Sequence, residues 1–103
     1  IAGIDSTVGN CGYGASKAAM ILSTKVLARE LSVYNIRVNA VAPGFIDTDI
    51  QSGIDRQLAD NIINNLSIRR LETPEEVAKV ILFLASDQAS YVNGQVIRID
   101  GGM

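Results

Sequence analysis

Residues 36–44 read IRVNAVAPG, and this stretch decides the class of fold. Isoleucine and valine, which favour extended backbone, recur within residues 36–42 and predict a short strand. Pro43-Gly44 then stops the strand, because proline lacks the N–H group that a hydrogen-bonded ladder needs. The stretch therefore predicts a strand that ends in a tight turn.

A long helix is predicted before this strand, over residues 13–33. The segment contains no proline, and alanine and leucine recur in it. Its apolar residues lie on several faces rather than along one stripe, so burial on more than one side is expected. Asn35 is expected to end the helical region in a left-handed conformation.

Three further elements are predicted downstream. A weaker, polar helix is expected over residues 50–66, and the alternation of residues 95–100 predicts a last strand. Thr73-Pro74-Glu75-Glu76 predicts a helix that starts with a capping box and runs to about Ser86. The buried stripe expected on that helix is Val77, Val80, Ile81, Leu84 and Ala85. This order of elements indicates an α/β layer structure, whose remaining strands are expected upstream or in a partner because two strands make a poor sheet.

Composition excludes several classes of function. The chain has 103 residues, 48% of them hydrophobic, which is enough for one small domain. Its net charge of −2 provides no basic surface for nucleic acid or an anionic membrane. With no histidine and one cysteine, Cys11, it can form neither a histidine-based triad nor an internal disulfide, and no metal site is expected. The longest strongly apolar stretch, residues 77–85, is too short to span a bilayer. A cytoplasmic protein is expected.

Tyr13 and Lys17 form the most informative pair of polar residues. Their spacing places them on one face of the predicted helix, near its N-terminus. A nearby ammonium group stabilises a phenolate, and a positioned tyrosine can then exchange a proton with a hydroxyl or carbonyl oxygen. Taken alone, the spacing more often reflects a packed ring beside a solvated lysine.

Ordered segments along the whole chain resemble the short-chain dehydrogenase/reductase family, and in particular its 3-oxoacyl-acyl-carrier-protein reductase branch. The segments are YGASKAA at 13–19, LAREL at 27–31, IRVNAVAPG at 36–44 with Thr48, RL at 70–71, PEEVA at 74–78, FLASD at 83–87, GQ at 94–95 and DGG at 100–102. The resemblance implies the C-terminal part of a Rossmann-like, doubly wound parallel sheet with flanking helices. Residues 1–103 would form the C-terminal half of one such domain, without its N-terminal dinucleotide-binding half.

The resemblance also implies roles for individual residues. Tyr13 matches the catalytic acid/base of the family. Lys17 matches the lysine that favours the ionised tyrosine and binds the nicotinamide ribose hydroxyls. The family's catalytic serine aligns immediately before Ile1, and its glycine-rich dinucleotide fingerprint lies further upstream, so the chain is expected to hold only part of the active site and to be inactive alone.

Further cofactor and substrate contacts follow from the same resemblance. Pro43-Gly44 matches the turn that lets the backbone approach the nicotinamide. Ile46 would offer backbone groups to the carboxamide, and Thr48 a hydroxyl to the amide or a phosphate of the cofactor. Asn10 and Cys11 match substrate-facing positions, although Cys11 also fits a small packing residue. Residues 50–66 match a lid over the substrate, and an ordinary surface helix fits them equally well.

The expected activity is hydride transfer between NADP or NAD and a carbonyl or secondary alcohol, with a 3-oxoacyl thioester as the expected substrate. A sugar, polyol or other secondary-alcohol dehydrogenase of the same family is the alternative. A third possibility is an inert folding or interaction module. For all three possibilities the expected protein partner is another copy, in a dimer or tetramer, or a missing N-terminal half.

Overall fold

The protein is described here from a computed structural model, which covers residues 2–5, 8–48 and 56–103. Helix α1 spans Cys11–Glu30, strand β1 spans Ala40–Pro43 and helix α2 spans Arg56–Asn64. Helix α3 spans Pro74–Ala85, and strand β2 spans Val96–Ile99. Short 3-10 helices follow α1 at Ser32–Tyr34 and α3 at Asp87–Ala89.

Helix α1 starts earlier and ends earlier than predicted. A 3-10 turn replaces its last residues, and Asn35 closes that turn with a φ of 57°. The left-handed conformation predicted for Asn35 is therefore confirmed. Within α1 Ala28 is buried, whereas Met20 and Leu22 are both more than 60% exposed. The several apolar faces of this helix are thus left open in the described part of the chain.

Strands β1 and β2 form a parallel pair in which Ala40 lies opposite Val96 and Pro43 lies opposite Ile99. The predicted strand over residues 36–42 is wrong at both ends. It starts later because asparagine side chains replace the ladder: the Val38 N–H donates to Asn93 Oδ1 at 2.9 Å. The strand also includes Pro43. The N–H groups of Ala40 and Gly44 donate to β2 and its flanking residue, so the nitrogen of residue 43 faces away from β2 and needs no hydrogen.

Two long-range hydrogen-bonding side chains tie the helices to this pair. Asn93 donates from its amide to the Ala28 carbonyl of α1 at 3.0 Å while it accepts from Val38. Arg37 donates to the carbonyls of Leu84 at 2.8 Å and Ser86 at 3.1 Å, which satisfies the C-terminal end of α3. The orientation of both helices relative to the sheet is therefore set by polar groups as well as by packing.

Helix α3 starts as predicted. Thr73 accepts a hydrogen bond from the Glu76 N–H, and the Glu76 carboxylate accepts one from the Thr73 N–H, which completes a capping box. Arg70 also donates to both carboxylate oxygens of Glu76, at 2.9 and 2.6 Å. The Arg70 bonds and the Thr73 N–H hold the pKa of Glu76 at about 2, well below the usual range of a glutamic acid.

The predicted buried stripe of α3 is only partly correct. Val77 and Leu84 are buried and Val80 is half-buried, but Ile81 is 49% exposed and Ala85 is also exposed. Two strands are too narrow to cover a full helix face. The buried hydrophobic residues among those described are Ala28, Ala42, Leu66, Val77, Leu84 and Ala89.

Helix α2 lies within the polar segment predicted to be helical, although the predicted start at residues 50–55 lies outside the described residues. The sequence analysis did not predict one further element, an isolated parallel bridge between Ile46, before α2, and Glu72, after it. This bridge joins the segment after β1 to the residues that precede α3. The predicted strand over residues 95–100 is confirmed in its centre, as β2.

We expect Thr73→Ala to lower the free energy of unfolding by about 1 kcal/mol, because the hydroxyl that caps α3 is lost. Chemical denaturation measures the change. Thr24→Ala is the matched control, since the Thr24 hydroxyl only bonds back to the Met20 carbonyl within α1 and alanine favours a helix. An equal loss in both variants would contradict the cap.

Candidate active site

Tyr13 and Lys17 lie in the first two turns of α1, on one face of the helix. The Lys17 Nζ atom is 5.2 Å from the centroid of the Tyr13 ring, within the range of a cation–π contact. Tyr13 is 58% exposed and Lys17 is half-buried. The phenol is thus accessible to a small molecule, with an ammonium group held beside its ring.

One cavity of about 320 Å³ brings most of the predicted site together. It lies between the loop before α1, the first turns of α1, strand β1 and the turn after it. Its described lining residues are Ala2, Gly3, Ile4, Tyr13, Lys17, Met20, Ile21, Ala40, Val41, Ala42, Pro43, Gly44, Ile46 and Val96. Of the predicted cofactor contacts, Tyr13, Lys17, Pro43, Gly44 and Ile46 therefore share one space.

The electrostatic character of this cavity is positive. Lys17 supplies the formal charge in the described lining, and no acidic residue occupies the first turn of α1. The N-terminus of a helix adds partial positive charge from its free N–H groups. The cavity therefore favours a ligand that carries electron-rich oxygen atoms, such as hydroxyl or carbonyl groups.

Asn10 and Cys11 line a different cavity, of about 300 Å³, with Asp5 and the small residues of α1. Both side chains are exposed, and the Cys11 thiol is free. Residues two apart on a helix point roughly 200° apart, so Cys11 cannot face the same way as Tyr13. The substrate contacts predicted for Asn10 and Cys11 stay predictions, and the geometry places them beside the cavity of Tyr13 rather than in it.

Thr48 is half-buried and is not among the described residues that line the cavity of Tyr13. It is the last described residue before the gap at residues 49–55. Its predicted hydroxyl contact to the cofactor stays a prediction.

The sequence analysis missed Glu72, which does not line the cavity but contacts Gly44 in the turn that does. Its Oε2 atom lies 3.3 Å from the Gly44 nitrogen and accepts a hydrogen bond from that N–H group. Burial raises the pKa of Glu72, and the nearby Glu76 and Asp100 carboxylates raise it further. A separation of 28 residues hides this contact from any local pattern.

Met20 and Ile21 were missed for a different reason, because a usable signal was present. They follow Tyr13 at i+7 and i+8, the helical spacing that already joins Tyr13 to Lys17. Both line the same cavity and form its apolar wall. Extending the helical face beyond the Tyr13–Lys17 pair would have found them.

Residue 44 is a glycine because the Asp100 backbone leaves too little space for a side chain there. A Cβ atom built on it would lie 3.0 Å from the Asp100 Cα atom and 3.2 Å from its Cβ atom. The chain after β2 therefore packs directly on the Pro43-Gly44 turn. This close contact supports the turn.

Residues 2–5, 8–48 and 56–103 contain neither a membrane-spanning helix nor a cluster of metal-binding side chains. Neither α1 nor any other described helix combines the length and the hydropathy needed to cross a bilayer. No group of three histidine, cysteine, aspartate or glutamate side chains is arranged there to hold a metal ion.

Comparison with known proteins identifies the relatives of the chain. The family model described as enoyl-(acyl carrier protein) reductase matches residues 1–103. The chain belongs to this short-chain dehydrogenase/reductase family. The 3-oxoacyl-[acyl-carrier-protein] reductase FabG of Thermotoga maritima is 50% identical over 103 residues, which are all of this chain and 42% of the relative. The predicted family and its 3-oxoacyl reductase branch are thereby confirmed.

Solved structures of the family confirm the predicted fold class. A 3-oxoacyl-[acyl-carrier protein] reductase from Brucella melitensis has a TM-score of 0.87 at 43% identity, over 90% of this chain and 35% of that one. A 4-hydroxyisoleucine dehydrogenase complexed with NADH has a TM-score of 0.90 at 35% identity, over 98% of this chain and 42% of that one. The chain is therefore an α/β, Rossmann-like segment that spans about two-fifths of the length of its relatives.

The family model and the relatives name different reactions. The description of the model names an enoyl-(acyl carrier protein) reductase, whereas the FabG relatives are named 3-oxoacyl-[acyl-carrier-protein] reductases. The two FabG relatives are 46 to 50% identical over the whole chain, which is a more specific likeness than a match to a model that represents an entire family.

We expect Gly44→Ala to lower the free energy of unfolding by roughly 1–3 kcal/mol, because the new methyl group overlaps the Asp100 backbone. Thermal and chemical denaturation measure the loss. Gly12→Ala is the control, since a Cβ atom there has open space and alanine favours the α1 helix. A Gly44→Ala protein as stable as the Gly12→Ala protein would rule out the close contact.

Proposed function

We propose that the chain supplies the tyrosine and lysine of an NAD(P)-dependent oxidoreductase that reduces a 3-oxoacyl thioester. One observation carries the proposal: Tyr13, Lys17 and the Pro43-Gly44 turn open on the same cavity. The names of the most similar relatives support the choice of substrate. The proposal treats residues 1–103 as the C-terminal half of the catalytic domain, which the relatives' greater length supports.

Tyr13 has the role of proton donor in this proposal. When bound, a reduced nicotinamide supplies the hydride that adds to the carbonyl carbon. The phenolic O–H of Tyr13 donates its proton to the carbonyl oxygen, which becomes a hydroxyl group. The Lys17 ammonium, 5.2 Å from the ring centroid, is the cation in the described lining of the cavity. In the reverse direction the phenolate accepts the proton of the alcohol.

The cavity also suits the nicotinamide end of the cofactor in size and chemistry. Its volume of about 320 Å³ lies in the range typical of ligand pockets. Lys17 would bind the ribose hydroxyls, and the Pro43-Gly44 turn would let the backbone approach the nicotinamide ring. The backbone of Ile46 would hold the carboxamide, and the Thr48 hydroxyl beyond it would bind the amide or a phosphate of the cofactor. Both NADP and NAD suit these residues, because none of them contacts the adenosine end in the proposal.

A second candidate function is a sugar, polyol or other secondary-alcohol dehydrogenase. A Brucella melitensis structure named for glucose/ribitol dehydrogenase has a TM-score of 0.91 at 39% identity over 99% of this chain. The 4-hydroxyisoleucine dehydrogenase also matches nearly the whole chain. Initial rates with acetoacetyl thioesters and with a panel of polyols distinguish the two functions.

Association with further protein is part of the proposal. The described chain has a radius of gyration of 15.5 Å, whereas a compact domain of this length has about 13 Å. Met20 and Leu22 on α1 and Leu82 on α3 are each more than 60% exposed. An N-terminal half, and further copies in a dimer or tetramer, would cover these faces in a cytoplasmic enzyme. An interaction module without catalysis would use the same faces, and cofactor binding separates the two possibilities.

We expect Tyr13→Phe to reduce kcat by at least a hundredfold in the complete polypeptide that carries these residues, because the proton donor is removed. The control is Tyr91→Phe, since Tyr91 is fully exposed and lies outside the cavity. Steady-state oxidation of NADPH or NADH with acetoacetyl-CoA measures both variants. Near-normal turnover by Tyr13→Phe would reject the assignment of Tyr13.

We expect Lys17→Ala to weaken binding of the reduced cofactor by about tenfold or more, because a charge-assisted hydrogen bond to the ribose is lost. Cofactor fluorescence titration measures the dissociation constant. Lys25→Ala is the matched control, two turns further along the same helix and exposed. Equal affinities of the two variants would remove Lys17 from the cofactor site.

A further inference from the structure

We infer that Glu72 is a positioning residue that holds residues 44–47 in the conformation that receives the nicotinamide. The inference rests on the proposed function, since those residues include two of the proposed cofactor contacts, Gly44 and Ile46. Glu72 does not line the cavity of Tyr13 and acts on it through the backbone of this segment.

The backbone of Glu72 contacts the segment on both sides of Ile46. Its N–H group donates to the Phe45 carbonyl at 2.9 Å, and its carbonyl accepts from the Asp47 N–H group at 2.7 Å. These two bonds make the isolated parallel bridge between Ile46 and Glu72. The chain beyond β1 is therefore held extended for one more residue after the turn.

The side chain of Glu72 adds a contact to the turn itself. The Gly44 N–H group donates to the Ile99 carbonyl at 2.7 Å and also points to Glu72 Oε2 at 3.3 Å. One residue thus bonds to Gly44, Phe45 and Asp47, which are nearly consecutive. Rotation of the peptide groups in this segment would break at least one of these bonds.

The surroundings of the carboxylate make a purely stabilising role a poor explanation. Glu72 lines a cavity of about 120 Å³ with Glu76 of α3 and Asp100 after β2. Burial and these two acids raise the pKa of Glu72, so its ionised form is disfavoured in the folded protein. Arg70, the cation in the described lining, is engaged by both oxygens of Glu76.

A group that is kept where its charge is unfavourable is typical of functional positions. Because the folded protein raises the pKa of Glu72, ionisation at neutral pH lowers the stability of the fold. Glu72→Gln, which keeps the length and the acceptor oxygen but removes the charge, is therefore expected to be at least as stable as the wild type at pH 7.

The experiment compares side-chain length with charge in the complete polypeptide that carries residues 1–103. Glu72→Gln retains an oxygen that can accept from the Gly44 N–H group. Glu72→Asp retains the charge but is one methylene shorter, so the carboxylate cannot reach that group. Glu75→Gln and Glu75→Asp are the matched controls, since Glu75 is exposed near the start of α3.

The first readout is amide hydrogen exchange of a peptide that contains residues 44–47, without cofactor. We expect Glu72→Asp to raise the exchange rate by about threefold to tenfold, the range that corresponds to one hydrogen bond. Glu72→Gln and both Glu75 variants should exchange within about twofold of the wild type. This readout tests the contact itself and does not depend on any activity.

The second readout is the dissociation constant of NADH and NADPH, together with kcat and KM. We expect Glu72→Asp to raise both the dissociation constant and the KM of the cofactor by about threefold to tenfold. The value of kcat should change less than about twofold. Glu72→Gln should stay within about twofold of the wild type in affinity.

Two outcomes would overturn the inference. Unchanged exchange and affinity in Glu72→Asp, with a wild type that binds the cofactor, would reject Glu72 as a positioning residue and leave the proposed function intact. Weakening in Glu72→Gln, with Glu72→Asp close to the wild type, would assign the effect to charge and contradict the hydrogen bond. Failure of the wild type to bind either cofactor would instead reject the proposed function, and the inference with it.

Discussion

The parallel pairing of β1 with β2 is the constraint on which the rest of the described structure depends. Its hydrogen bonds run from the Ala40 N–H group at one end to the Gly44 N–H group at the other, so they fix the point at which the chain leaves the sheet. Proline is accepted at position 43 because that nitrogen faces away from β2. The turn that follows is contacted by the Asp100 backbone and accepts support from the Glu72 carboxylate, which bonds to the Gly44 N–H group.

This constraint explains the position of the candidate site. In parallel α/β sheets, ligands bind beyond the carboxyl ends of the strands, where loops and helix N-termini converge. Here the carboxyl end of β1 meets the first turns of α1, which carry Tyr13 and Lys17. Asn93 and Arg37 tie α1 and α3 to the strands, so the distance between the helix face and the turn depends on polar contacts 47 to 65 residues apart. The site is therefore a product of the fold and not of a single motif.

The open apolar surfaces of α1 and α3 fit the proposed association with further protein. The chain matches its relatives along its whole length but spans about two-fifths of theirs, and the apolar residues of α1 and α3 stay exposed in the described structure. Apolar faces of this extent are typical of surfaces that pack against further protein. The same reasoning explains why the predicted α3 stripe is buried at Val77 and Leu84 and open at Ile81.

The sequence by itself determined the features that depend on neighbours along the chain. These are the capping box of α3, the left-handed Asn35, the shared helical face of Tyr13 and Lys17, and the family, whose motifs are local strings. Only the tertiary structure decided the late start of β1, the separation of Cys11 from the cavity of Tyr13, and the contact of Glu72 with Gly44. The physical reason is the range of the interactions. Propensity, capping and helical periodicity act over about four residues. Asn93 replaces a ladder hydrogen bond before β1 and Glu72 adds a bridge after it, and both lie in segments that only the fold brings near.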